Sequence, residues 1–574
     1  NPMLSNSYNF KREYATRSFN TVYASFDIWK GIKFASTFSY DFVMNKSRAW
    51  KDPRTSDGDD DNGRFSKDYN DITNMTWSNI LTYQTKIKKK HNLDLLAGYE
   101  INSKESDGLG TTISNFARWD KPEVNNGVVY QSMGGSNSTT RIVSYITRAN
   151  YDYDNKYYLG ASWRTDGSSR LARENRWGNF WSLSGAWRVS SESFMKPLQN
   201  WLSDLKLRVS YGVNGTLPSS YYGYMGLSSL TSNYNDNPGI TQSQLENKEL
   251  TWETNYNFNS GIDLGFFDNR LNVTFEYYVR TTKNLLYSRP LSLATGFSSY
   301  LANIGKLQNK GYELEIRSTN IETKDFRWST SLNLGHNANK ILKLDGDLKQ
   351  VTSGTSIHKV GLPYSTYYMI EFAGIDPVDG EPMFYKNTTD ENGNLNKETT
   401  KDPRSAEKVI LQCADPTITG GLGNSISYKW FDLNFNVNFS FGAWNYDGAA
   451  GKLEHGGDGT LNIPIYYRKR WQKEGDETSI ERFVVGRSIS MTDYATTRRL
   501  YSGDYVRLKN LTFGFTLPKT WTRKVGIDNI RLYASGNNLL TWAAYDYIDP
   551  ESGSSPSWDT PPMRTYTFGL EVKF

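Results

Sequence analysis

The chain has 574 residues with 66 Lys or Arg and 61 Asp or Glu, so its formal net charge is +5 and gives no indication of nucleic-acid binding. The single cysteine excludes an internal disulfide, and no run approaches the roughly 18 apolar residues of a membrane helix, which excludes a helical membrane protein. Aromatic residues make up 14 % of the chain, a level typical of the interfacial girdles of outer-membrane barrels.

Alternating apolar and polar residues recur along the whole chain and predict an all-β protein of about 17 strands. In chain order the predicted strands are 19–29, 32–42, 76–87, 92–101, 141–153, 157–164, 180–188, 204–212, 250–264, 271–280, 311–318, 326–335, 417–428, 431–441, 505–517, 529–538 and 565–574.

Several strands have one wholly apolar face and one polar face. In 431–441 (FDLNFNVNFSF) every odd position is Phe, Leu or Val, and 565–574 (TYTFGLEVKF) ends on the aromatic Phe574. One face suits lipid and the other suits water, over the roughly 9–11 residues that a tilted membrane strand needs. The predicted fold is therefore a transmembrane antiparallel β-barrel. The residues of 431–441 predicted to face its lumen are Asp432, Asn434, Asn436 and Asn438.

The connections alternate between tight turns and long polar segments, as in bacterial barrels with short periplasmic turns and long extracellular loops. The long segments are 43–75, 102–140, 281–310, 338–416, 442–504 and 539–564. Inside the fourth, we expect 364–372 to pair with 382–385 around a turn at 376–380.

Aromatic residues stand beside polar groups in the predicted outer loops, where rings could stack on sugars or peptide side chains and carboxylates could accept hydrogen bonds. The alternative is that they belong to the girdle or pack the loops. The candidate ligand contacts are Tyr222, Trp444, Tyr446, Asp447, Trp542, Tyr545 and Trp558.

The sequence DGDDDNG at 57–63 resembles a calcium loop through Asp57, Asp59 and Asp61. However, Asn62 stands where such a loop needs glycine and Asp68 stands where it needs glutamate, so a solvated loop tip is the favoured interpretation. No other metal site or cofactor is predicted. The chain also lacks the compact signatures of hydrolases, nucleotide-binding enzymes and zinc proteases, and we do not expect an enzyme.

Six segments together resemble the SusC-like (SusC/RagA) branch of the TonB-dependent outer-membrane transporters. They are 303–313 (NIGKLQNKGYE), 374–380 (GIDPVDG), 416–433 (PTITGGLGNSISYKWFDL), 505–518 (YVRLKNLTFGFTLP), 532–542 (LYASGNNLLTW) and the closing RTYTFGLEVKF. Their order along the C-terminal half makes the joint match specific, whereas each alone is a weak signal.

The resemblance implies a barrel of about 22 strands around an N-terminal plug. With about 17 strands predicted, residues 1–574 are expected to be the C-terminal portion of one barrel domain, without plug, TonB box or signal peptide. The implied location is the outer membrane of a Gram-negative bacterium, in contact with membrane lipid and lipopolysaccharide. Implied partners are a SusD-like surface lipoprotein and TonB, the latter acting through the N-terminal part.

The implied activity is TonB-dependent import of a large nutrient, most simply an oligosaccharide. An oligopeptide is the alternative ligand. Two other functions stay open at this point: a passive porin, which would close within this chain, and a secreted β-rich carbohydrate-binding protein, which would need no lipid around its apolar stripes.

Overall fold

A computed structural model describes residues 2–230, 233–235, 237–344, 346, 348–390, 393–457, 463–485, 494–545, 547–552 and 562–574. Helices are short: α1 spans Pro2–Tyr8, α2 Gly448–Leu453 and α3 Lys519–Thr522. Within the described ranges, no helix combines the length and the apolar character that a membrane crossing requires.

Seventeen strands of the described residues belong to one large antiparallel sheet, in agreement with the predicted number. They are β1 Phe10–Trp29, β2 Ile32–Lys51, β3 Arg64–Ile87, β4 His91–Phe116, β5 Gly127–Tyr153, β6 Tyr157–Ser168, β7 Trp177–Arg188, β8 Leu202–Thr216, β9 Glu253–Phe266, β10 Leu271–Lys283, β11 Lys306–Glu322, β12 Phe326–Lys343, β13 Ile418–Tyr428, β14 Phe431–Phe441, β15 Tyr505–Thr516, β16 Asn529–Ala543 and β17 Thr565–Lys573.

Shorter strands lie in the connections. They are Leu227–Ser229, Thr241–Gln244, Leu286–Pro290, Ser299–Asn303, Gln350–Ser353, Ser356–Lys359, Thr366–Ile370, Phe372–Ile375, Pro382–Tyr385, Thr399–Thr400, Lys408–Cys413, Trp444–Tyr446 and Leu500–Ser502.

The chain divides into two compact units. The first comprises residues 1–186, 210–256 and 282–304, and in it β1 to β6 pair in sequence order. The second comprises residues 187–209, 257–281 and 305–574. In it β11, β12, β13, β14, β15, β16 and β17 pair in that order, all antiparallel.

The predicted long loops 43–75 and 102–140 are wrong over much of their length, because β2 to β5 continue through them. The connections that remain are 52–63 and 117–126. The outer halves of these strands are polar on both faces, as in RFSKDYNDITN at 64–74, so they lack the alternation that reveals a strand. A small apolar cluster of Trp50, Phe65, Ile113 and Phe116 joins their tips, with the Trp50 and Phe116 rings edge to face at 4.9 Å.

The predicted hairpin inside 338–416 is correct in its turn but wrong in its first strand. Phe372–Ile375 pairs with Pro382–Tyr385, and the Gly380 N–H donates to the Asp376 carbonyl at 2.8 Å. The preceding strand, Thr366–Ile370, pairs instead with Lys408–Cys413. The single run 364–372 therefore contains parts of two strands with different partners, and Glu371 stands at the break between them.

Candidate functional site

The predicted polar face of β14 is present in the second unit. Residues directly opposite each other in a ladder share a face, and Asn438 stands opposite Gly421, which stands opposite Asn333. A groove of about 440 Å³ is lined here by Asn333, Glu315, Arg317, Gly421, Gly423, Asn436 and Asn438, among others. Asn434 lines a neighbouring groove of about 330 Å³. Three of the four predicted lumen residues thus line polar grooves.

Two glycines give this face its depth. A Cβ on Gly421 would lie 2.7 Å from Asn333 Oδ1, and one on Gly423 would lie 2.6 Å from Ser331 Oγ. Larger residues would fill the space that the neighbouring amide and hydroxyl groups now occupy. Asp432, the fourth predicted lumen residue, is engaged by Arg531, with Nη2 to Oδ2 at 2.7 Å.

The opposite face of β14 and β15 is aromatic and exposed. The Phe431 ring stacks on Phe515 at 4.9 Å and on Phe513 at 5.8 Å, and Phe513 is 49 % exposed. Stacked, exposed phenylalanines on one face and polar grooves on the other are the division of surface that a membrane-spanning strand needs.

Five tyrosines in the loops of the second unit form a continuous row, here called the tyrosine cluster: Tyr466, Tyr467, Tyr501, Tyr545 and Tyr547. Tyr501 and Tyr545 stack with their ring centroids 3.7 Å apart. Tyr547 lies 5.3 Å from Tyr545 and 5.4 Å from Tyr466, whose ring is 5.8 Å from Tyr467. Tyr547 is 69 % exposed, so the row presents a ring to solvent.

Carboxylates hold the phenol groups of the cluster. Tyr545 Oη donates to Asp447 Oδ2 at 3.1 Å, and Tyr466 Oη donates to Glu454 Oε1 at 2.5 Å. Burial, reinforced by these acids, raises the pKa of Tyr545 and Tyr466 well above the ordinary value near 10. The phenols therefore stay protonated at neutral pH and act as hydrogen-bond donors.

A buried ion network lies beneath the tyrosines. Tyr467 Oη donates to Glu481 Oε1 at 3.0 Å, and Arg498 Nη1 contacts Glu481 Oε2 at 2.5 Å. Arg498 also lies 3.8 Å from Glu454, the acceptor of the Tyr466 hydroxyl. Since the side chain of Glu481 is fully buried, its charge depends on Arg498, and the network fixes the position of the rings above it.

A second anchor positions the loop that carries Tyr545 and Tyr547. Arg507 on β15 is 2 % exposed and contacts Asp549 at 2.6 Å and Glu551 at 2.8 Å. Its Nε also donates to Thr541 Oγ1 at 3.0 Å. This one guanidinium ties the loop segment at 549–551 to β15 and β16.

The structure brings several predicted ligand contacts into this cluster. Trp444–Tyr446 pairs with Leu500–Ser502, which sets Tyr501 opposite Asn445, and Asp447 accepts both the Tyr545 hydroxyl and the Ala450 N–H. The sequence analysis missed Tyr466, Tyr467, Tyr501, Glu454, Glu481 and Arg498. The adjacent pair YY at 466–467 was the available signal.

Other predicted contacts lie elsewhere. Trp542 is 60 % exposed on β16, where it shares a face with exposed Leu540. Tyr222 lies in the first unit, and its hydroxyl accepts the Thr139 N–H at 3.0 Å. Trp558 lies outside the described residues.

The three carboxylates of the calcium candidate have separate surroundings. Asp57 accepts from Asn9 Nδ2 at 3.1 Å, whereas Asp61 pairs with Arg64 and accepts from Gln131 at 3.3 Å. The part of the chain that the structure describes contains no group of three or more His, Cys, Asp or Glu, Asp59 included, that could hold a metal ion.

Comparison with known proteins places this fold in a family. The family model for the TonB-dependent receptor-like β-barrel matches residues 2–539. The chain belongs to this family, whose members are outer-membrane transporters and receptors rather than enzymes, and it is an outer-membrane protein.

Similar proteins lie in the SusC-like branch, which confirms the resemblance seen in the sequence. The chain is 32 % identical over 593 residues to TonB-dependent receptor P3 of Formosa agariphila, covering 96 % of this chain and 57 % of the relative. It is 30 % identical over 461 residues to TonB-dependent receptor SusC of Bacteroides thetaiotaomicron, covering 75 % and 44 %. A solved structure of the RagAB peptide transporter superposes with a TM-score of 0.88 at 26 % identity, covering 100 % of this chain and 63 % of that one. The chain thus spans roughly half to three-fifths of the length of these relatives.

Proposed function

We propose that this chain forms most of the wall of a TonB-dependent importer that takes up an oligosaccharide, with the tyrosine cluster as a ligand platform in its outer loops. The observation that carries the proposal is the exposed ring of Tyr547, which is held between Tyr545 and Tyr466 in the tyrosine cluster. An exposed aromatic ring of fixed position is suited to packing against the apolar face of a sugar ring.

The chemistry of the platform favours a neutral, hydroxyl-rich ligand. Aromatic rings pack against the apolar faces of sugars. Asp447 and Glu454 are engaged by the hydroxyls of Tyr545 and Tyr466, so they act on a ligand through the rings that they hold in place.

The polar grooves of β11 to β14 supply the path beyond the platform. Their amides, from Asn333, Asn436 and Asn438 among others, form and break hydrogen bonds with a hydrated solute, beside one carboxylate and one guanidinium of opposite charge, Glu315 and Arg317. In this proposal Asp432, Asn434, Asn436 and Asn438 face the lumen, and Asp432 is held there by Arg531 rather than offered to the solute.

The second candidate ligand is an oligopeptide, which the similarity to the RagAB peptide transporter favours. Import in either case would use a SusD-like lipoprotein on the cell surface and TonB in the periplasm, as the family implies. A secreted carbohydrate-binding protein is disfavoured by the outer-membrane family and by the exposed Phe431 and Phe513 stack.

Isothermal titration calorimetry of the full-length protein in detergent, with neutral oligosaccharides and uncharged oligopeptides of similar length, tests the ligand class. We expect an oligosaccharide to bind, and Tyr547→Ala to weaken it about tenfold, about 1.4 kcal/mol. Trp542→Ala, on the exposed face of β16, is the matched aromatic control and should bind normally. Binding of peptides alone would make an oligopeptide, not an oligosaccharide, the ligand. Oligosaccharide binding that Tyr547→Ala does not weaken would contradict the proposal that the tyrosine cluster is the ligand platform.

A further inference from the structure

The N-terminal half of β5, residues 128–138, has one edge that is not paired with another strand. β5 pairs with β4 over nearly its whole length, but its pairing with β6 stops at Ile142 opposite Ser168. Every residue from Val128 to Asn137 is exposed, although the segment remains hydrogen bonded to β4. In a strand covered on one face, exposure would alternate with period two. Exposure at ten successive positions indicates that both faces and one edge are open.

Two hydrogen bonds just after the C-terminal end of this segment show which backbone N–H groups point to the open edge. The Arg141 N–H donates to Ser169 Oγ at 2.9 Å, and the Thr139 N–H donates to Tyr222 Oη at 3.0 Å. Both acceptors lie on the side away from β4. Because successive N–H groups of a strand point to opposite edges, the N–H groups of Met133, Gly135 and Asn137 point the same way. Among the described residues, no hydrogen bond crosses this edge between residues 128 and 138.

Apart from a β-bulge at Gln131, where the register with β4 shifts, the open edge carries no protection against pairing. Natural edge strands are guarded by Lys, by Pro, by inward-pointing charges or by a covering element. Residues 128–138 read VVYQSMGGSNS and contain no charged residue and no proline.

Two large apolar side chains beside the edge are unusually open. Tyr130 is 74 % exposed and Met133 is 73 % exposed. Tyr130 stands opposite Ile113 and Met133 opposite Thr111, two residues apart on β4, so both lie on one face. An added strand would find backbone partners along the edge and an apolar contact on that face.

We propose that residues 128–138 bind an extended, uncharged polypeptide segment, which adds to the sheet as a strand beside β5. The occupant is identified by the chemistry of the site. A row of free N–H and C=O groups is satisfied by another extended backbone, and the uncharged surroundings, with Tyr130 and Met133 exposed, favour residues such as Val and Thr over charged ones. This surface lies wholly in the first unit and is independent of the tyrosine cluster.

The test uses full-length protein in detergent and a fluorescent probe peptide, Thr-Val-Ser-Val-Thr-Val-Ser-Val, acetylated and amidated. The comparison peptide has the same sequence with a methyl group on alternate backbone nitrogens, which removes one edge of hydrogen bonds and keeps the side chains. We expect the first peptide to bind at least tenfold more tightly than the second, measured by fluorescence anisotropy. Equal binding of both would mean apolar adhesion and would overturn the proposal, as would failure of the first peptide to bind.

Hydrogen exchange provides a residue-level readout. Bound peptide should slow exchange at the amides of Met133, Gly135 and Asn137 and leave their even-numbered neighbours, which face β4, unchanged. Uniform slowing over the segment, or none, would contradict strand addition.

Variants separate the edge from general surface effects. Tyr130→Lys with Met133→Lys places two charges beside the edge and should weaken peptide binding at least tenfold. Leu109→Lys is the matched control, because Leu109 is 57 % exposed and stands opposite Gly135, but its strand, β4, is paired on both sides. Equal losses of peptide affinity in both variants would show that added charge alone weakens binding and would contradict binding at the edge of β5.

Discussion

Arg531 reaches across a whole strand to bind Asp432: the two residues lie on β16 and β14, with Gly514 of β15 between them. The Arg531 Nη2 lies 2.7 Å from Asp432 Oδ2, and Nε lies 3.2 Å from Oδ1. A Cβ on Gly514 would lie 2.2 Å from Asp432 Oδ1 and 2.7 Å from Arg531 Nη2. The ion pair can therefore exist only because the intervening residue has no side chain.

Gly514→Ala should destabilise the sheet by about 1–3 kcal/mol, the usual cost of inserting a methyl group where no space exists. The measurement is the temperature at which half of the protein loses its folded gel mobility in detergent, which should fall. Gly335→Ala on β12 is the control, since its nearest heavy atom is Thr419 Oγ1 at 3.6 Å. Equal shifts for the two variants would contradict the steric argument.

The hydroxyl and the ring of Tyr545 should contribute separately to ligand binding. Tyr545→Phe removes the bond to Asp447 and keeps the stack on Tyr501, so affinity should fall by a few fold. Tyr545→Ala removes both and should cost at least tenfold, about 1.4 kcal/mol. The measurement is the ligand dissociation constant. An alanine variant that binds as tightly as the phenylalanine variant would show that the stack contributes nothing.

Arg507→Gln should loosen the loop that carries Tyr545 and Tyr547. The substitution leaves Asp549 and Glu551 without their buried partner, a change that costs about 3–5 kcal/mol. Limited proteolysis of the folded protein should then cut within residues 543–552, where the parent protein resists.

Lys509→Gln is the control for that experiment. Lys509 contacts the same Glu551 at 2.6 Å but is 41 % exposed, and an exposed pair contributes about 1 kcal/mol or less. Cleavage should stay at the parent level. Similar cleavage in both variants would mean that the loss of any positive charge near Glu551 opens the loop. It would contradict the claim that the buried contacts of Arg507 hold the loop in place.

The turn at Asp376–Gly380 should hold its contact with Lys401 down to acidic pH. The Lys401 ammonium hydrogen bonds the Asp376 and Asp379 carboxylates and holds the pKa of each below 3.8. A lowered carboxyl pKa stabilises the folded contact above the unfolded pKa, and this contribution is lost as the pH falls through the folded pKa.

Hydrogen exchange of residues 376–401, corrected for its intrinsic pH dependence, should therefore be constant from pH 7 to about pH 4 and rise below it. Lys401→Gln should raise exchange above about pH 4 and match the parent protein at more acidic pH, where the parent has also lost the contact, whereas Lys408→Gln, at an exposed position on a neighbouring strand, should leave exchange unchanged. Exchange in the parent protein that rises already between pH 7 and pH 5 would contradict the assigned pKa directions.

The strands were predictable from the sequence where apolar and polar residues alternate, as a membrane crossing requires. They were less predictable in the parts of the strands that lack this alternation. The limits of β14 match the prediction at both ends because its apolar and polar faces alternate without a break from Phe431 to Phe441. The outer halves of β3 and β4 carry polar residues on both faces and no such pattern. Their tips meet in the contact of Trp50 with Phe116, residues that are far apart in sequence.

The candidate site was predictable by residue type but not by arrangement. Trp444, Tyr446, Asp447 and Tyr545 stood out as aromatics beside polar groups in long loops. Nothing in the local sequence indicates that Tyr501 stacks on Tyr545, because that contact is set by pairing between distant segments. The role of Arg507 was concealed for the same reason, since an arginine in a strand resembles any other polar residue until its two acids are located.

Energy-dependent uptake by living cells measures whether the protein imports its ligand actively. Cells that lack the native gene and carry the full-length protein would be given a fluorescent neutral oligosaccharide that binds the purified protein, with and without a protonophore that collapses the inner-membrane proton gradient. We expect the oligosaccharide to accumulate in these cells, the protonophore to stop the accumulation and Tyr547→Ala to reduce it. Uptake that continues without the gradient would contradict TonB-dependent transport and would favour a passive porin.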